Sequence, residues 1–125
     1  STPEMAHIIV PYGSSKIPLD RYTEGLAHEL WGEGIQINSL APVCIVFTQE
    51  AAQFVGHIAK QNPDMVEPVE VIVEAAVDLV TGTHTGLVVY SRSFLHSIRR
   101  PVRSLDGKTV VGDAFMPADL ESVVA

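Results

Sequence analysis

Between Ser14 or Ser15 and Trp31, the apolar residues Leu19, Tyr22, Leu26 and Leu30 recur at spacings of three and four, with Asp20, Arg21, Glu24, His28 and Glu29 between them. That period predicts an amphipathic helix with one face turned inward. Gly32 or Gly34 is placed to end it in the left-handed conformation that glycine adopts without strain. Alternation then takes over: Ile35-Gln36-Ile37-Asn38-Ser39-Leu40 reads as a strand, stopped by Pro42. A second helix is expected from Thr48 to about Lys60, closed by the turn residues Asn62-Pro63-Asp64. A third starts near Pro68, with Val69, Ile72, Val73, Ala76, Val77 and Val80 as its apolar face and Gly82 as its stop. Pro68 suits a first helical turn, and Glu67, Glu70 and Glu74 lie near the positive end of the helix dipole. Gly86-Leu87-Val88-Val89-Tyr90 is then a continuous apolar run, as in a buried strand.

Strands separated by helices cannot pair as a hairpin; they belong side by side in a parallel sheet. Beyond Ser97, Val102-Arg103-Ser104-Leu105 and Thr109-Val110-Val111 flank Asp106-Gly107, a hairpin turn signal. The chain thus divides into an α/β body over residues 1–96 and a C-terminal extension over 97–125 carrying that hairpin signal. Two parallel strands with open edges make a poor sheet, so the chain is expected to need a cover over those edges.

Composition narrows the classes. The 125 residues suffice for one domain with a core, and 46% hydrophobic against 18% charged residues is too apolar for a disordered chain. No apolar run is long enough to span a bilayer, and no membrane partner is expected. The opening STPEMAHIIVPYG has no basic region, so no secretory leader is expected, and its lack of an initiator Met points to processing or to a piece of a longer chain. The single cysteine, Cys44, excludes an intrachain disulfide and fits a reducing cytoplasm; an inert buried thiol is expected there.

A net charge of −7 argues against nucleic acid. Five of the eight basic residues (Arg92, Arg99, Arg100, Arg103, Lys108) cluster late, and are expected as a solvated tail folded back on an acidic body. His7, His28, His57, His84 and His96 have no metal-ligand spacing, so no metal is expected. Trp31 and Phe54 are expected in the core or an interface.

One spacing carries chemistry. In Tyr12-Gly13-Ser14-Ser15-Lys16 the tyrosine and lysine lie one turn apart on a common face if the segment is helical. A free phenol titrates near ~10, and an adjacent ammonium favours the phenolate, giving a general acid/base. Pro18 leaves two arrangements open. A helix capped at Ser15 takes Pro18 into its first turn and leaves Tyr12 outside; a kinked helix starting earlier keeps both residues on one face.

The run YGSSKIPLDRYTEGLAHELWGEGIQINSLAP places Tyr-x-x-x-Lys, a helix, a glycine turn and a strand ending in Asn38-Ser39-Leu40-Ala41-Pro42 in one order. That order resembles the C-terminal half of the short-chain dehydrogenase/reductase family, and EPVEVIVEAAVDLVTG followed by GLVVY is similar to its last helix and last strand. The resemblance covers about residues 12–92. It implies the C-terminal portion of a Rossmann-like doubly wound parallel sheet, with the N-terminal nucleotide-binding half missing. It implies an NAD(P)-dependent oxidoreductase interconverting a small-molecule carbonyl and a secondary alcohol.

In that resemblance Tyr12 is the acid/base, Lys16 lowers its pKa and bonds the nicotinamide ribose, and Ser1 is the candidate catalytic serine. Pro42, Ile45, Val46 and Thr48 are the implied cofactor contacts, to NAD or NADP, and Ala51, Phe54, Val55 and Ile58 are expected to line an apolar substrate pocket. A homo-oligomer through helix 12–31 is also implied. Two departures stand out: Val43 occupies the family's glycine position, and Thr48 falls one residue late. The alternative is a truncated, non-catalytic module keeping only packing or dimerisation surfaces. TGTHTG at residues 81–86 imitates the family's phosphate loop, but follows a helix and precedes a strand, and reads as a turn.

Overall fold

The structure, a computed structural model, describes residues 10–50, 52–62 and 65–112. They form a mixed α/β arrangement of short strands: α1 Val10–Glu29, β1 Ser39–Ala41, β2 Ile45–Phe47, α2 Ala52–Gln61, β3 Val66–Pro68, α3 Val69–Thr81, β4 Val88–Tyr90, α4 Ser91–Ser97, β5 Val102–Arg103 and β6 Val110–Gly112. The strands pair two by two, β1 with β4, β2 with β3 and β5 with β6. Two compact units result. One gathers the described residues up to Leu40 with Thr81–Val89; the other gathers Ala41–Val80 with those from Tyr90 onward.

In the first unit, α1 is already helical at Val10 and carries Pro18 in its interior. The earlier helix start is therefore the arrangement adopted, although Pro18 lacks the N–H that would meet the Ser14 carbonyl. The inward face matches the expected one only in part: Leu26 and Leu30 are half-buried. Leu19 and Tyr22 are 51% and 67% exposed, while Thr23 and Ala27 are buried. Close approach selects small residues: a Cβ at Gly86 would lie 3.5 Å from the Ala27 methyl, and φ there is +77°. The Thr23 hydroxyl bonds back to the Leu19 carbonyl at 2.8 Å and needs no outside partner. Beyond Glu29 the chain tightens through Trp31 N–H to the His28 carbonyl, and both Gly32 and Gly34 take positive φ. Trp31 is 74% exposed and so lies outside the core.

The strand expected over residues 35–40 is confined to β1, because residues 36–38 are bonded largely through side chains. The Gln36 amide donates to the Gly82 carbonyl, Thr85 Oγ1 accepts from Ile37 N–H, and the Asn38 amide donates to the His84 carbonyl. Asn38 Oδ1 accepts from Leu87 N–H, occupying a place that a ladder partner would hold. Backbone bonds from Gly86 to Ile37 and from Ser39 to Leu87 advance together along both segments. The run of residues 86–90 is not a buried strand, since Val88 and Tyr90 are exposed at the ends of β4.

In the second unit β2 and β3 are parallel, with Ile45, Val46 and Phe47 opposite Val66, Glu67 and Pro68. Pro68 thus closes a strand, and Glu67 lies in that strand instead of at the helix dipole. Helix α2 begins at Ala52, whose N–H meets the Thr48 carbonyl at 2.9 Å. The buried side of α3 is Val71, Glu74, Ala75 and Leu79, while the expected face is turned outward, with Val73, Val77 and Val80 exposed. Apolar residues cover most of this helix, and the remaining stripe is Glu70, Glu74 and Asp78, so periodicity alone does not show that the stripe's Glu74 turns inward. Arg100 engages that stripe, bonding Glu74 at 2.7 Å and Asp78 at 2.6 Å. Phe94 and Leu95 of α4 and Val102 of β5 complete the buried apolar set.

The hairpin is where the turn signal put it: β5 and β6 are antiparallel, and Gly107 has φ +73°. Of the late basic residues, Arg92 and Arg100 meet acidic side chains, but Arg92 is only 3% exposed and is not solvated. Among the described residues no helix is long and apolar enough to cross a membrane.

Candidate functional site

Tyr12 and Lys16 both lie within the unbroken backbone of α1, in the first unit. Four residues apart in a helix, such positions carry Cβ atoms roughly 5–6 Å apart on one face. Lys16 is exposed. Ser1 and Ala51 lie outside the described residues. Pro42, Ile45, Val46 and Thr48 belong to the second unit. Pro42 is exposed, and the other three are half-buried. Ile45 and Val46 form β2, so pairing with β3 takes up alternate backbone groups there and leaves only the others open to a carboxamide. Phe54, Val55 and Ile58 lie in α2.

The 81–86 segment offers no phosphate cradle. Its Gly82 and His84 carbonyls accept from Gln36 and Asn38, and the Gly86 and Leu87 N–H groups are spent on Ile37 and Asn38. An open hollow of about 440 Å³ beside it is lined by Trp31, Gly32, Gly34, Ile35, Gln36 and Thr85. None of these side chains titrates near neutrality, so the hollow offers no acid–base group.

A second constellation was not foreseen from the sequence. Glu67 is fully buried, with Ser91 and Arg92 beside it at 0% and 3% exposure. The Ser91 hydroxyl lies 2.9 and 3.0 Å from the two Glu67 oxygens, and Arg92 Nε is 3.3 Å from Oε2. Arg92 Nη2 donates to the Val66 carbonyl at 3.3 Å, while Nη1 is buried without a hydrogen-bond acceptor among the described residues. Burial pushes the Glu67 carboxyl above its ordinary value, opposed first by the Ser91 hydroxyl, then by the Arg92 charge and by Val43 N–H. Because 24 and 25 residues separate the partners, no local spacing announces them. The one available signal was the late basic cluster, of which Arg92 is the first member.

Among the described residues, no cluster of three or more His, Cys, Asp or Glu could hold a metal ion. No family model, curated protein or solved structure matches this chain.

Proposed function

We propose that the chain is the C-terminal portion of a Rossmann-like, NAD(P)-dependent oxidoreductase of the short-chain dehydrogenase/reductase kind, acting in the cytoplasm on a small-molecule carbonyl or secondary alcohol. The observation that carries this reading is the continuity of α1 from Val10 past Pro18, which holds Tyr12 and Lys16 one turn apart. In reduction, Tyr12 Oη gives its proton to the carbonyl oxygen; in oxidation the phenolate takes the hydroxyl proton. Lys16 would stabilise that phenolate and would hold the ribose of a bound nicotinamide nucleotide, whose chemistry would be hydride transfer. Within the first unit, Lys16 presents an exposed ammonium of the kind suited to the ribose end of a dinucleotide. The described residues hold no glycine-rich turn leading from a strand into a helix, so this reading assigns the pyrophosphate cradle to the nucleotide-binding half.

A second reading, a non-catalytic dimerisation module, draws on the outer surface of α1. Leu19 and Tyr22, three apart on one face, are 51% and 67% exposed, an apolar pair that a second copy of the helix would cover.

Titrating NADH and NADPH against the chain while following cofactor fluorescence tests the first reading. Saturable binding at millimolar cofactor is expected, and no binding at that concentration refutes catalysis by this chain. Tyr12→Phe should abolish turnover with affinity largely kept; retained turnover removes the acid–base role. Self-association without cofactor binding, seen by sedimentation, selects the second reading.

A further inference from the structure

The hollow of about 440 Å³ beside the 81–86 turn takes no part in the proton chemistry, and every residue lining it belongs to the first unit. Trp31, just past the end of α1, supplies its aromatic wall and is 74% exposed. An indole covers a large apolar area, so one left in water at the side of a hollow is a surface for a ligand to cover. Gly32 and Gly34 contribute bare backbone, and a Cβ at either would meet nothing within 4 Å. Room beside the indole is therefore kept free of side chains.

Two polar side chains complete the lining, and both are already held. The Gln36 amide donates one N–H to the Gly82 carbonyl at 2.9 Å, and Thr85 Oγ1 accepts from Ile37 N–H at 3.1 Å. An amide side chain has two donors and an acceptor, and a hydroxyl has a proton of its own to give. Gln36 Oε1, its second N–H and the Thr85 O–H are thus left for a ligand. Side chains fixed beforehand lose less conformational entropy on binding.

Charge selects the ligand class. No lining residue is charged, Glu33 stands exposed between the two glycines, and the chain carries a net −7, so an anion is disfavoured. A cation is held by a carboxylate or a cage of rings, and the lining has no carboxylate and one aromatic ring. A neutral pyranose matches what remains. Its C–H face packs flat on an indole, and its rim hydroxyls each donate and accept, as Gln36 and Thr85 require.

We propose that this hollow binds one ring of a neutral saccharide, stacked on Trp31 and hydrogen-bonded by Gln36 and Thr85. The site uses neither Tyr12 nor Lys16 and does not rest on the oxidoreductase reading.

Trp31 is the chain's single tryptophan, so its indole N–H gives one resonance that reports the site directly. Titrating the full chain with methyl glucoside and with methyl galactoside should move that resonance saturably, at millimolar sugar, for at least one of them. Methyl glucuronide (the same ring with a carboxylate), choline and adenosine should leave it in place. Gln36→Ala should weaken sugar binding roughly threefold to tenfold. Trp31→Ala, at an exposed position, should abolish it, read at the Thr85 amide resonance. No saturable shift with either glycoside overturns the proposal, and that result needs no variant to fold. An equal response to methyl glucuronide, choline or adenosine overturns it as well, as does binding that survives unchanged in either variant.

Discussion

The two units hold themselves together by different means. In the second, Val71, Ala75, Leu79, Phe94, Leu95 and Val102 are buried. The ion pairs Glu67–Arg92 and Arg100 with Glu74 and Asp78 surround that set. In the first, Ala27 is the single buried apolar side chain among the described residues, while Ile17, Trp31 and Ile35 are half exposed or more. Its order comes from polar ties: Gln36, Ile37 and Asn38 to residues 82–87, and the Ser39 hydroxyl to Asp20 at 3.1 Å. Burying one large apolar side chain contributes about 1.5–3 kcal/mol, whereas a net hydrogen bond contributes about 0.5–1.5 kcal/mol. The second unit is therefore sealed by its own core, and the first is held in register without being sealed.

The sharpest way to break this contrast is a matched pair of truncations. Leu95→Ala, at a fully buried site, should cost about 2–5 kcal/mol in denaturant unfolding. Ile17→Ala, at a 70% exposed site, should change stability by at most about 0.5 kcal/mol. Equal losses would mean that α1 is sealed after all. A smaller effect tests the polar ties. Asn38→Ala removes the hydrogen bonds to the Leu87 N–H and the His84 carbonyl and should cost about 1–3 kcal/mol. Amide exchange should rise at Gly86 and Leu87 while that of α3 stays as it was. Uniform acceleration across both units would contradict their independence.

The same contrast explains what the sequence disclosed. Helix α1, the stop of α3 at Gly82 and the Asp106-Gly107 hairpin were legible, because each depends on neighbours within a few residues. The buried faces were not. On α3, apolar residues cover most of the circumference, the remaining stripe is Glu70, Glu74 and Asp78, and that stripe is engaged by Arg100, which is 26 residues from Glu74 and 22 from Asp78. On α1, the large apolar residues predicted an inward face, but proximity to Gly86 admits the small Ala27. Helix α4 was missed because its N-cap, Tyr90, makes no side-chain capping bond and ends an apolar run that reads as strand. For the candidate site, the Tyr12–Lys16 spacing was legible as a local helical pair. The Glu67 cluster was invisible, since long-range burial and not spacing brings it together.

The smallest effect concerns pH, and separates the core of the second unit from its hairpin. Burial raises the Glu67 carboxyl above its ordinary 4.5, so the folded chain holds that proton more tightly than the unfolded chain does. Stability should then decline as pH climbs from about 4.5 through the raised value, and level off above it. Glu67→Gln should lack that slope, and a slope common to both proteins would assign it to another group. Asp106 moves the opposite way. The Ser104 hydroxyl, then the Lys108 N–H, hold its carboxyl below the ordinary 3.8. Its stabilising effect is complete above that value and is lost as pH falls through the lowered one. Because Asp106 is exposed, the loss should stay local: the Lys108 amide resonance should shift and its exchange quicken below pH 3.8, with the melting of the core unaffected. Asp106→Asn, which keeps an acceptor oxygen but cannot titrate, should hold the Lys108 resonance fixed over the same range. A Lys108 shift that survives in Asp106→Asn would show that the hairpin senses the protonation of the buried carboxylates, and that the second unit titrates as one body.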